Sequence, residues 1–454
     1  MTELKANALP RKRFFVEMFT RDISLMDCIL DLIDNSIDGF IRSRDIDLGV
    51  DLLKRDNEKV AKNGLPEIQI DFNNKKLSVI DNCGGIPFED AQNEIFNFGH
   101  STDYYDSSSK KSLGVYGIGL KRAIFKIGKS FSIISKTIND GFLVKEPSLD
   151  EWVQKDSSLD DWTFSIEKLE KAKTIDGAGT KVLIENIRKE VQPLLDDDNF
   201  IGDLKIDISR VYTFFLNKFV KVKINGDYVD PLNVPIGESG EINPAVEHLE
   251  QHSVKVTIFA GVAARDNKGR WVTEQAGWYV ACNGRMILTA DRTSITGWGT
   301  PSMPIFVSKF RAFVGLVLFQ SNNPFLLPWT TTKRSLNYES NIYQFTKARM
   351  GAIARSILSF ISSLYVGEEQ EKEEGRELAD KIKQVDINRL STLNTKPFEI
   401  KKPIPEKDTA LVHYFVKKKL LQAIRKHIMR PSWSNSKVGK YTFDYFLKKE
   451  KLDE

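Results

Sequence analysis

The sequence predicts an α+β chain: two successive mixed domains followed by a helical, basic C-terminal segment. Three observations carry this expectation. Residues 27–40 place apolar side chains at helical spacing, with Ile29, Leu32, Ile33, Ile37 and Phe40 on one face. Short strand-like runs cluster between residues 67 and 185 and again between 220 and 319. A long amphipathic stripe, Ile342, Phe345, Ile353, Ile357, Ile361 and Leu364, then leads into a charged linker at 367–377. The expected domains are residues 1–199, 200–365 and 366–454.

The first helix opens at Ser24, with Asp27 three residues later in capping-box spacing. Its second face carries Asp27, Asp31, Asp34, Asn35 and Asp38. Like charges four residues apart repel by a few tenths of a kcal/mol per pair, so such a stripe is costly unless a cation sits on it. A solvated acidic face is the plain alternative for this helix taken alone.

Two alternating runs, 67–72 and 76–81, are joined by Asn73-Asn74-Lys75 and read as a hairpin. The second ends in Asp81-Asn82-Cys83-Gly84-Gly85, where a carboxylate at a strand end beside glycines lets a ligand approach the backbone. A polar stretch at 99–113, long for a loop, reads as a lid or a disordered segment. It closes on Gly114-Val115-Tyr116-Gly117-Ile118-Gly119-Leu120-Lys121, which runs into a helical pattern. Glycines opening a helix present free N–H groups and a positive dipole end to an anion. The stretch is neither a P-loop, since GxxxxGK[ST] is missing, nor a Rossmann fingerprint, since Arg122 stands where the third glycine would fall. Further strands are expected at 131–136, 141–145, 162–168 and 180–185, the last introduced by Gly179-Thr180. A helix around 204–219 and strands at 220–224, 254–259, 278–281 and 312–319 follow.

Composition excludes several classes. The chain has 454 residues, 41% hydrophobic and 28% charged, which is ordinary for a folded globular protein and rules out a disordered one. No run approaches eighteen apolar residues, so no membrane span is expected, and residues 1–15 lack the apolar core of a signal peptide. Cys28, Cys83 and Cys282 are few and scattered, which fits a reducing cytoplasm and argues against structural zinc. His248 and His252 would share a helix face, but HLEQH is not HExxH, so packing or solvation is the expected role. Net charge is +4, yet residues 401–454 hold 14 Lys/Arg against 6 Asp/Glu. Their basic helix, 411–429, has two open readings: a nucleic-acid contact or a partner-protein surface.

The acidic helix, Asp81 with its glycines, the Gly114–Lys121 loop and Gly179-Thr180, in that order, resemble the GHKL ATPases, the superfamily of gyrase B, MutL, histidine kinases and heat-shock chaperones. Leu32-Ile33-Asp34-Asn35, Phe98-Gly99-His100-Ser101, Tyr116-Gly117-x-Gly119-x-Lys121 and Val280-Ala281-Cys282-Asn283-Gly284-Arg285 resemble the MORC-like branch. The resemblance covers residues 20 to about 350. It implies a Bergerat-type ATPase sandwich followed by a transducer domain with a crossover βαβ.

It also implies roles. Asn35 would offer its amide oxygen to Mg²⁺, and Asp31 would be the general base. Asp81, with Thr180, would hold the adenine amino group of ATP. Gly117, Gly119 and Lys121 would hold the phosphates, with Asp38, Gly85 and Gly114 in the same nucleotide site. Lys333 would reach from the transducer domain to the γ-phosphate. Two departures stand out: Asp31 occupies a position usually held by Glu, which implies slow hydrolysis, and Cys83 replaces the first glycine of DxGxG, which would narrow the adenine end. The implied function is an ATP-gated homodimerisation clamp acting on DNA or a protein partner. A nucleotide-sensing scaffold without turnover and a protein-remodelling chaperone are the alternatives.

Overall fold

The structure, a computed structural model, describes residues 11–48, 52, 64–97, 113–114, 117–156, 159–174, 177–366, 370–371, 379–387, 393–400, 412 and 414–452. The expected lid at 99–113 (apart from Leu113), Phe98-Gly99-His100-Ser101, Tyr116 and most of the 367–377 linker lie outside these residues.

Two helices open the chain, α1 (Lys12–Arg21) and α2 (Leu25–Ser43). Ser24 caps α2 by accepting from the Asp27 amide, as its spacing predicts. The first of these helices has no counterpart among the sequence expectations. It is fixed by Lys12, whose ammonium is fully buried 3.7 Å from the Trp152 ring centroid and donates to the Trp152 carbonyl.

The first sheet has eight strands: β1 (Glu67–Phe72), β2 (Lys76–Asp81), β3 (Ser130–Lys136), β4 (Gly141–Glu146), β5 (Ile166–Leu169), β6 (Gly179–Glu185), β7 (Lys221–Ile224) and β8 (Asp227–Tyr228). Their spatial order is β5-β4-β3-β6-β2-β1-β7-β8, antiparallel except where β1 and β7 run parallel. Helices α3 (Phe88–Asn93), α4 (Gly119–Ile127) and α5 (Leu149–Gln154) belong to this part of the chain, and α4 packs along α2. The mixed, antiparallel-rich sheet is the expected α+β arrangement. It also continues past residue 199, because Lys221–Ile224 pairs with Glu67–Ile70 after the intervening α6 (Asp198–Val211). A boundary at 199 would cut through one hydrogen-bonded sheet. The helix itself stops at Val211, short of the expected 219, where a run of turns begins.

The second sheet holds β9 (Ala245–Gln251), β10 (Val254–Val262), β11 (Gly277–Cys282), β12 (Arg285–Asp291) and β13 (Phe313–Gln320), in the order β9-β10-β13-β11-β12. The long helix α7 (Asn341–Ser363) packs on β10 and β13. β11 and β13 are parallel, but strand β12 and a 3₁₀ turn at Ser308–Ala312 connect them, not an α-helix. Residues 292–312 contain Gly297, Gly299, Pro301 and Pro304 and cannot sustain a helical apolar period. His248 lies on β9 and His252 in the following turn, so the two do not share a helix face.

Beyond residue 411 two helices, α8 (Lys418–His427) and α9 (Asn435–Glu450), pack on each other. The aromatic residues Tyr441, Phe443, Tyr445 and Phe446 thus lie on a helix, α9.

Candidate functional site

Asp31, Asp34, Asn35 and Asp38 all line one cavity between α2, the β2/β3/β6 face of the first sheet and the start of α4. The opposite face of α2 drives it against the sheet: Ile29, Leu32, Ile33, Ile37 and Phe40 are buried in the core. Asp27 is the exception on the acidic stripe, paired outside the cavity with Arg334. The stripe is also not a solvated face, since Asp34 is 1% exposed.

One end of the cavity is apolar, with Leu32, Val79, Ile86, Ile133 and Val182 in its walls. Asp81 marks this end. Its register partner across β2 and β6 is Thr180, whose amide donates to Asp81 Oδ1 at 3.3 Å. The Cys83 amide donates to the same oxygen at 2.9 Å and the Ser36 hydroxyl to Oδ2 at 2.7 Å. Burial raises the Asp81 pKa against these three hydrogen bonds. Each carboxylate oxygen has two lone pairs, so capacity remains for a donor from a ligand. Gly85 turns with φ +73°, and a Cβ there would fall on the Lys136 carbonyl oxygen. Cys83 does not narrow the slot: its side chain sits in the core, away from the cavity wall.

The glycine loop closes the other end. Asp38 accepts the Leu113 amide at 2.5 Å and the Gly114 amide at 2.7 Å, so it holds the backbone where the 99–113 segment ends. Gly117 has φ +60°. Gly119, the first residue of α4, lies so close to α2 that a Cβ would meet Asp31 Cβ and Cγ at 2.9 Å. Lys121 is placed differently from expectation. It is 1% exposed, lies outside the cavity lining, and donates to the carbonyls of Ile95 at 2.6 Å and Asn97 at 2.5 Å. Burial lowers its pKa to about 7.

Lys333 and Thr331 enter the cavity wall from the segment following the second sheet. Lys333 Nζ donates to Asp34 Oδ2 at 2.7 Å, and Arg285 Nε to Oδ1 at 3.1 Å. The Tyr212 hydroxyl adds a third donor at 2.7 Å. Burial disfavours the Asp34 charge, but Arg285 and Lys333 outweigh it and hold the carboxyl below its usual range. Lys333 has φ +54°, rare for a residue with a side chain, and its carbonyl accepts from Arg285 Nη1 at 2.7 Å. Asp31, one turn earlier, is the counter-case. Burial pushes its pKa up to about 6, with Lys333 pulling it down and Asp34 adding to the rise.

The structure therefore gathers Asp31, Asn35, Asp38, Asp81, Gly85, Gly114, Gly117, Gly119, Thr180 and Lys333 around one cavity and leaves Lys121 out. Four further residues have roles at the site that their sequence context does not announce. Asp34 reads in sequence as part of an acidic face and of the Leu32–Asn35 motif, without a role of its own, while Arg285, Tyr212 and Arg122 carry no role there. Arg285 stands in the Asn283-Gly284-Arg285 turn, and that motif is the signal that could have found it.

Residues 23–158 match the family model of histidine kinase-, DNA gyrase B-, and HSP90-like ATPases. No curated protein matches the chain. The match spans α2, Asp81 and the glycine loop, and it supports a GHKL-type ATPase fold and nucleotide binding there. Thr180 and Lys333 lie beyond it. The donor set fits such a ligand: an apolar slot ends on a carboxylate with spare acceptor capacity, and a glycine-opened helix faces the other end. It also fits Mg²⁺. The exposed Asn35 amide has no hydrogen bond among the described residues, and Mg²⁺ takes one or two protein oxygens together with phosphates and water. No described helix is long and apolar enough to cross a membrane.

Proposed function

We propose that this chain is a Mg²⁺-dependent ATP-binding protein of the MORC-like branch that acts as an ATP-gated dimerisation clamp with slow hydrolysis. The observation that supports it best is the shared cavity wall. Asp31 and Asn35 of the first domain line it together with Lys333 of the second, so one ligand can bear on both parts of the chain.

In this reading Asp81 and Thr180 select the adenine, and Asn35 presents its amide oxygen to the metal. Asp31, with a pKa of about 6, is ionised at neutral pH and can accept a proton from water. ATP supplies a γ-phosphate that ADP lacks, so Lys333 favours the closed arrangement with ATP alone. Asp38, bonded to Leu113 and Gly114, passes the state of the pocket to the 99–113 segment. Two protomers then meet through their N-terminal regions, where α1 exposes Phe14 at 63% and Met18 at 53%. The first domain extends at least to Tyr228, and residues 366–454 contact DNA or a protein partner in the cytoplasm.

A scaffold that binds ATP without turnover is the second reading. It is favoured by Asp31 standing where relatives that hydrolyse carry a longer Glu. Light scattering with a non-hydrolysable ATP analogue tests the clamp. Wild type should dimerise and Lys333→Ala should not, while still binding ADP; a Lys333→Ala protein that dimerises like wild type removes the clamp. Phosphate release then separates the two readings.

A further inference from the structure

Lys121 and Arg122 are adjacent cations at the start of α4, and a helix turns 100° per residue, so both cannot face the same way. Lys121 faces the loop after α3, where two backbone carbonyls already accept from its ammonium. Arg122 faces the cavity and forms part of its wall, as do Gly119 and Leu120 from the same turn. Its guanidinium makes no hydrogen bond or ion pair among the described residues, and its Nε is shielded from solvent without a partner. A guanidinium in a cavity wall that no carboxylate among the described residues holds presents a site for an anion, approached through its Nη atoms since Nε is covered.

The position within the cavity identifies which anion. Gly119, three residues before Arg122 and so on the same side of α4, lies against Asp31. The field of Arg122 acts on Asp31, as does that of Lys333, which reaches the cavity from the second domain. Arg122 and Lys333 are thus cations from different elements in the wall of the cavity that holds the candidate base.

We propose that Arg122, rather than Lys121, is the phosphate-binding cation of the glycine loop, and that it holds the terminal phosphate of a nucleoside triphosphate. This rests on the nucleotide reading of the cavity. Lys121 instead positions the loop, by tying α4 to residues 95 and 97. The guanidinium fork can give two parallel N–H bonds to phosphate oxygens, a geometry that an ammonium cannot reproduce.

Calorimetric titration of the full chain with ADP and with a non-hydrolysable ATP analogue, in the presence of Mg²⁺, tests the assignment. Arg122→Gln should weaken the triphosphate analogue about tenfold to a hundredfold, the range for losing a charge-assisted hydrogen bond, and leave ADP within about twofold. Arg122→Lys should fall between. Lys121→Met should instead lower the melting temperature, because it leaves two carbonyls unpaired, and should not discriminate between the two nucleotides. If Arg122→Gln weakens both nucleotides equally or neither of them, Arg122 does not read the terminal phosphate. If wild type binds neither nucleotide, the nucleotide reading itself falls and takes this assignment with it.

Discussion

The Lys333 ammonium lies 2.7 Å from the Asp34 carboxylate, although 299 positions separate them in sequence. Arg285, 251 positions from Asp34, holds the other carboxylate oxygen. One buried anion of α2 thus ties two separate segments of the later part of the chain to the floor of the cavity. Asp34→Asn would leave two buried cations short of a counter-charge and should destabilise the protein by about 3–5 kcal/mol. Lys333→Met should cost less, since Asp34 keeps Arg285 and Tyr212. Urea denaturation of the three proteins decides it. If Asp34→Asn costs under about 1 kcal/mol, the coupling has no structural weight.

Asp31 predicts a pH dependence that needs no turnover assay. Its pKa is raised from the usual carboxylate value to about 6, so the folded chain binds this proton more tightly than the unfolded chain. The stabilisation is present at low pH and is lost as pH rises from about 4 through about 6. Asp31→Asn, which stays neutral, should therefore be more stable than wild type at pH 7, by at most about 3 kcal/mol, with the gap closing near pH 4. Melting temperatures between pH 4 and 8 check this, and a gap independent of pH contradicts it. Any hydrolysis that uses Asp31 as a base should rise through the same window and level off above about pH 7.

Asn35→Ala should remove the Mg²⁺-dependent part of ATP affinity, because the other cavity-lining oxygens of α2 belong to carboxylates and a hydroxyl already in use. Titration with ATP, with and without Mg²⁺, measures that part directly. A variant with the wild-type metal increment would show that the amide is not a ligand.

Two glycines should resist alanine for different reasons. At Gly119 the backbone is helical, but a methyl would meet Asp31 Cβ, which is fixed to the α2 backbone, so α4 would have to shift away from α2. Gly119→Ala should thus lower the melting temperature and weaken nucleotide binding together. At Gly85 the backbone has φ +73° and the Lys136 carbonyl fills the space, so Gly85→Ala should cost about 1–3 kcal/mol of stability. A wild-type melting temperature for either variant would contradict the close approach at that glycine.

Local patterns carried much of the site. The Ser24 cap, the apolar face of α2 and the Asp81 hairpin depend on residues within a few positions of one another, and sequence spacing reports them. Asp81 and Thr180 came together because each ends a strand of one sheet. The Asp34 cluster was not legible, since helical periodicity says which way a side chain points but not what lies across from it. Its partners arrive from Tyr212, Arg285 and Lys333, and no local pattern records such distances. Lys121 misleads for a related reason. A charge beside glycines reads as a phosphate contact until the carbonyls of Ile95 and Asn97 are seen to occupy it.

The pairing of β7 with β1 decides where this chain can be cut. A fragment ending at residue 199 would keep Glu67–Ile70 but lose the Lys221–Ile224 strand that covers it. β1 would then become an outer strand presenting a bare row of amides and carbonyls, and such rows recruit other chains. Association of that fragment would report a severed sheet and could be mistaken for the natural response to nucleotide. A fragment running past Tyr228 keeps the short strand that finishes the sheet, so self-association seen there would belong to the protein itself.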